Sequence, residues 1–224
     1  KLGVAAAGFF AFNELSQLPG KLIQVRGEFQ QLEIAFSTML GSKAKADKLM
    51  TEVVQLAATT PFDLKQVATG AKQLLAYGVA SGDITKTLTR LGDVASGLSI
   101  PLNDLTYLYG TTKTQGRLFA QDLNQFVGRG IPLIKLLSEQ FGVAESEVKN
   151  LVEQGKVGFP EVEKAINKLT DSGGMFSGLM ELQSKSLTGL YSNFQDAVEQ
   201  AFNKIGQSQE GVLAGSIKFG TSVV

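Results

Sequence analysis

TTPFDLKQVATGAKQLLAYG, residues 59–78, carries one whole helix together with both of its ends. Two start signals are legible: Thr60 as N-cap with Pro61 at the first helical position, or Asp63 as N-cap with Gln66 three residues on. Leu64, Val67, Ala68, Ala71, Leu74 and Leu75 recur at helical spacing and fall on one face. Gly78 then offers the residue type that best closes a helix in the left-handed conformation. A helix this short, with one apolar face, must bury that face against neighbours, so the chain has to fold back on itself.

The same unit recurs on both sides. Residues 43–58 present Ala46, Leu49, Met50, Val53, Val54 and Ala57 on one face. Asp83 caps the next helix, with Ile84, Leu88, Leu91, Ala95 and Leu98 inward, and Pro101 opens another that holds Leu105, Leu108 and Tyr109. Shorter helices are expected at about 118–127, 132–141, 144–154 and 160–170, with glycine turns between them. A longer helix runs from about Leu182 to Ile205 and gathers Leu187, Leu190, Phe194, Val198, Ala201 and Ile205 on one face. As one uninterrupted helix the chain would reach about 340 Å at 1.5 Å per residue, and caps and glycines every dozen residues prevent that.

Upstream, Leu15, Leu18, Leu22, Val25, Phe29, Leu32, Phe36 and Met39 alternate steps of three and four, which is a helical seam. Parallel self-pairing would set Lys21 against Arg26 and Glu28 against Glu33, so the expected partner is another helix of the same chain. Pro19-Gly20 reads as a helix start or a kink. No strand alternation is sustained anywhere. The expected fold is therefore all-α, with about nine or ten short amphipathic helices flanked by longer N- and C-terminal ones. Its expected divisions are an N-terminal segment 1–42, a compact domain 43–181, and a C-terminal helix with apolar tail, 182–224.

Composition narrows the chemistry. The 224 residues balance 21 Lys and Arg against 21 Asp and Glu, so no charge surplus points to nucleic acid, and sequence-specific nucleic-acid binding is not expected. With no Cys and no His, the chain cannot carry a disulfide, a thiolate nucleophile, a Ser-His-Asp arrangement or a Cys/His zinc site. Gly-Lys at 20–21 and 155–156 lacks the rest of a phosphate loop, and the glycines of GRGIPL, residues 128–133, lack dinucleotide-site spacing. Carboxylate pairs such as Glu145 with Glu147, Asp122 near Glu139, and Glu161 with Glu163 read as solvated faces or helix N-termini. No catalytic residue, cofactor or metal is assigned, and the chain is read as no enzyme. The apolar stretch 2–12 falls short of the ~20 residues that span a bilayer. The first residue is Lys1 and both ends stop in apolar stretches, so a piece of a longer chain is expected.

Two junctions stand out as candidate partner contacts. Pro61 and Phe62 belong to the opening stretch, and Gln115, Gly116, Arg117 and Gln121 to the polar loop TQGRLFAQDL, residues 114–123. Arg117 could grip a carboxylate or phosphate on a partner, or satisfy the carbonyls ending the preceding helix.

Read in order, six strings add a family. TMLGSKAKADKL (38–49), TPFDLKQVATGAKQLLAYG (60–78) and LGDVASGLSIPLNDLTYLYG (91–110) are followed by QGRLFAQDLNQFVGRGIPL (115–133), VKNLVEQGKVGFPEVEKAI (148–166) and GGMFSGLMELQSKSLTGLYSNFQD (173–196). Together they resemble the N-terminal-type domain of phage and prophage tail tape measure proteins over about residues 28–200. Leu182 departs from the family pattern, which has a basic residue there. The resemblance implies a structural virion protein inside the tail tube, made in the host cytoplasm, whose length sets tail length. It also implies partners: further copies of itself as a homo-oligomer in the lumen, tail tube protein, tail assembly chaperones and tail-tip initiator proteins. Contact with the host membrane during genome ejection is the alternative role, motivated by the apolar ends 2–12 and 211–224.

Overall fold

The computed structural model describes residues 2–211 and 214, with the backbone alone for residues 2–19. Within them run α1 (Leu2–Leu40), α2 (Lys43–Ala57), α3 (Leu64–Ala76), a 3-10 turn (Ser81–Asp83) and α4 (Ile84–Leu98). Then follow α5 (Leu102–Gln115), α6 (Ala120–Gly128), α7 (Leu133–Phe141), α8 (Glu145–Glu153), α9 (Phe159–Thr170), α10 (Leu179–Ser184) and α11 (Leu187–Ser208). The fold is all-α, and nine short helices stand between two long ones.

Local chemistry decides the boundaries. Asp63 is the cap of α3: its carboxylate accepts from Gln66 N at 2.7 Å, and Gln66 Oε1 accepts from Asp63 N at 3.2 Å. Asp83, in contrast, makes no cap bond. It closes the 3-10 turn with φ −104° and ψ −7°, whereas a capping side chain reaches forward from an extended backbone. Pro19-Gly20 neither starts nor ends a helix, because α1 runs through it. The expected long C-terminal helix is two helices. Ser186, extended at ψ 164°, accepts from Gly189 N through its hydroxyl at 3.2 Å and starts α11 afresh.

Around α4 the helices close into one core. Residues 91–96 are buried without interruption, and α4 touches α2, α3, α5, α9 and α10. Over that stretch the helix has no solvated side, so small residues must admit its neighbours. A β-carbon at Gly92 would collide with Met180 Sδ, and one at Gly97 with the Phe176 ring. Between these glycines lies a buried carboxylate: Asp93 accepts from Met180 N at 2.9 Å and Gly178 N at 3.3 Å. It caps α10 from another helix, and Gln183 Nε2 adds a bond to Ser96 O at 2.8 Å. Burial raises the Asp93 carboxyl above the ordinary range, and the two amides and Arg90 only partly offset this.

Helix α11 packs on α1, and α1 also packs on α2. The pair is centred on Arg26, 8% exposed, which bonds Glu33 at 3.0 Å, Asn203 at 3.3 Å and Glu210 at 3.3 Å. Phe29 and Phe36 of the α1 seam are buried, while Met39 is exposed. The face that α11 turns inward is polar and small: Gly189, Asp196, Asn203 and Gly206. Its apolar stripe, gathered on one face as the spacing predicts, lies in water.

Asp196 enters the core beside the start of α3. Its Oδ1 accepts from Leu64 N at 3.4 Å, and its buried Oδ2 has no protein partner. Burial raises its carboxyl above the ordinary range, and Asp63 raises it further; Glu199 is raised by its own burial, then by Asp196, Glu28 and Asp63. Folding therefore binds protons here, and stability falls as pH rises from the unfolded value near 4 through the raised folded values.

Two outcomes are expected. Asp93→Ala strands the buried amide of Met180 and removes the acceptor of the part-buried amide of Gly178, which costs about 1–3 kcal/mol. Thermal melting should fall by several degrees, and amide exchange should quicken selectively across α10 and the segment before it. Asp196→Asn removes a strained charge and offers a donor where Asn193 Oδ1, one turn back, also has no partner. Its melting temperature should exceed that of the parent chain at pH 7, with the gap closing as pH falls toward 4.

Candidate functional site

The loop after α5 is fixed by backbone bonds. Gly116 ends the helix at φ +74°, and its N–H returns to Thr112 and Lys113 carbonyls. An isolated antiparallel bridge then joins Arg117 to Gly158: Leu118 N donates to Val157 O at 2.9 Å, and Phe159 N to Gly116 O at 3.0 Å. This clamp leaves the Arg117 side chain outside. The helix-end carbonyls are served by Gly116 N, and the Arg117 guanidinium lies over the Phe119 ring, 4.2 Å from its centroid. Gly155, at φ +71°, makes room for it, because a β-carbon there would sit 2.8 Å from Arg117 Nη1.

A second cation–ring pair stands nearby in sequence and fold. Lys113 Nζ lies 5.7 Å from the Phe159 centroid, and Phe159 meets Tyr109 edge-on at 5.0 Å and 77°. Tyr109 is buried and donates to Glu163 Oε1 at 2.7 Å. Burial, then Glu163, pushes its phenol far above the ordinary range, so it stays a donor and never a base at neutral pH. Tyr109, Glu163 and Lys113 line a cavity of about 380 Å³ together with Lys86 and Arg90. Arg90 is already engaged, by Asp171 at 2.7 Å and Thr170 Oγ1 at 3.0 Å.

Loop and cavity form a basic, aromatic corner that can receive carboxylate or phosphate oxygens but holds no nucleophile set up by a base. Gln115, Gly116, Arg117 and Gln121 are all exposed at this corner. Pro61 and Phe62 are half-buried and belong elsewhere: a β-carbon on Gly92 would meet Phe62 at 3.3 Å, which puts Phe62 by α4 and α10. Lys113 and Phe159 were missed from sequence because their pairing crosses 46 residues. A second surface was also missed, the exposed apolar face of α11.

The carboxylate pairs have separate duties. Glu161 caps Gly158 N at 2.9 Å, Glu163 takes the Tyr109 proton donor, and Glu139 pairs with Lys168 at 2.6 Å. Asp122 is buried at 7% exposure and not on a solvated face, because it opens α6 against the core. Among the described residues, no group of three or more Asp or Glu could hold a metal ion, and no helix is long and apolar enough to cross a membrane. The side chains of 2–12 and most of 211–224 lie outside the described residues.

No curated protein and no solved structure matches the chain. A family model does: one described as tape measure protein matches residues 20–207, from the middle of α1 almost to the end of α11. The match covers the Arg26–Asn203 bond that joins the two long helices, the α4 core, and the Arg117 corner. The chain belongs to the tape measure protein family, structural proteins of phage tails.

Proposed function

We propose that this chain is an assembly and anchoring element of a tail tape measure protein, positioned in the tail tube lumen, and not a stretch whose contour length is measured. The observation that carries this reading is the closure of the chain. Arg26 reaches both Asn203 and Glu210, 177 and 184 residues away, so end-to-end length within the fold does not grow with residue number. A helical ruler requires the opposite, about 1.5 Å of length for every residue.

An anchor needs surfaces that meet other proteins. The basic corner of Lys113, Arg117, Phe119 and Phe159 fits an acidic segment of a tail tube subunit, a tail assembly chaperone or a tail-tip initiator protein. Assembly on such partners would start in the host cytoplasm, before the tube closes around the protein.

The test is tail length, by electron microscopy, after in-frame deletion of residues 43–171 from the intact phage gene. The anchoring role predicts absent tails, or tails of scattered length. Uniform tails shortened by about 190 Å, at 1.5 Å per deleted residue, would place this segment in the measured length and overturn the reading.

A further inference from the structure

Helices α4, α5 and α9 pack on one another in pairs, yet at their junction they leave the cavity of about 380 Å³. Close packing is the rule where helices meet, so a space of this size stays open only where its walls are held apart. Three tethers do so. Arg90 is drawn to Asp171 and Thr170, the Tyr109 hydroxyl is fixed on Glu163, and Lys113 Nζ rests by the Phe159 ring. Long side chains that could collapse into the space are thereby kept at its walls, and the cavity is preformed.

Its lining is ordered along one axis. Arg90 and Asn167 meet at one end, where an Arg90 nitrogen donates to Asn167 O at 3.4 Å. The Tyr109–Glu163 bond lies one turn back along α9, and Lys113 stands one turn beyond Tyr109 on α5. Thr87 reaches the Tyr109 hydroxyl, so α4 runs toward the Asn167 end and Lys86, just before Thr87, belongs to the Lys113 side. Among the described residues, neither Lys86 nor Lys113 has a carboxylate in ion-pair reach; Asp83 shares the rim, is exposed and pairs with neither. Glu163 gives Oε1 to Tyr109 and keeps Oε2 without a partner among the described residues. Leu91 and Ile166, both buried, supply an apolar wall.

We propose that this cavity is a binding site for a sugar phosphate, held by Lys86 and Lys113 at its phosphate and by Glu163 and Asn167 at its hydroxyls. A phosphate dianion suits two ammonium groups from different helices whose charges no carboxylate of the fold already meets. A bare anion would leave the free Glu163 oxygen facing negative charge. Hydroxyls on the same molecule answer that oxygen by donating to it, and the Asn167 amide can donate or accept. The carbon ring between them covers Leu91 and Ile166, as ligand sites combine an apolar lining with a few convergent polar groups. The volume falls in the lower part of the range of such sites, about 300–1,000 Å³.

The inference stands on the cavity and not on the anchoring role, because ligand binding and tail length are read separately. Titration calorimetry on the full 224-residue chain takes as probes ribose phosphorylated at its terminal hydroxyl, ribose itself and inorganic phosphate. The sugar phosphate should bind, ribose should not, and inorganic phosphate should bind about tenfold more weakly than the sugar phosphate. Lys86→Met, at an exposed position, should cut affinity for the sugar phosphate about tenfold with unchanged circular dichroism. Lys149→Met, exposed on α8, should leave it as it is. Glu163→Gln should bring the two phosphate ligands closer in affinity, because it removes the repulsion that inorganic phosphate meets. A nucleotide carries the same sugar phosphate group: adenosine monophosphate binding at least as tightly assigns a nucleotide, weaker binding a free sugar phosphate, and both keep the proposal. No binding of the sugar phosphate, equal affinity in the parent and Lys86→Met, or inorganic phosphate bound as tightly as the sugar phosphate would overturn it. So would an equal loss of both phosphate ligands in Glu163→Gln.

Discussion

Six consecutive buried residues in α4, 91–96, set the constraint on which this fold depends. A stretch of helix buried on every side, as this one is, can offer neither bulk nor unpaired charge to its neighbours. Gly92 and Gly97 meet the first demand by letting Met180 and Phe176 approach the backbone. Asp93 meets the second, because its carboxylate is spent on the amides of Gly178 and Met180. The chain leaving α9 is thereby brought back across α4, and α11 starts where it can reach α1.

The parts that sequence shows well are those set by neighbours along the chain. The capping box of Asp63 and Gln66, the stop at Gly78 and the inward face of α3 depend on residues three or four apart. The errors are of another kind. Asp83 looks like a cap, but a preceding 3-10 turn takes its backbone out of the extended state. The break at Ser186 needs one hydroxyl to outcompete a continuing helix, and nothing in apolar periodicity registers that. The candidate corner was half legible: Arg117 stood out, while its complement at Lys113, Phe159 and Gly155 comes from three other elements.

Helix α11 gives the sharpest lesson about periodicity. Its apolar spacing was readable, and the natural inference from such spacing is burial. On α11 the inward face is instead polar, with Arg26 of α1 bonding Asn203 and Glu210 and Asp196 accepting from the start of α3. Period alone says which residues share a face; it does not say whose surface that face meets. A tape measure protein is a component of a larger particle, and an apolar face left outward belongs naturally to such a component.

The account rests on the chain being closed, with α1 beside α11. Spin labels at Gln31→Cys and Gln207→Cys, diluted with unlabelled chain to suppress contacts between copies, measure that closure through their dipolar coupling. Both positions are exposed and flank the α1–α11 pair. Helices packed at 8–10 Å predict a single short distance, below about 30 Å with the label arms included. A chain extended as one helix would separate them by about 260 Å, and the resulting absence of coupling would contradict the account.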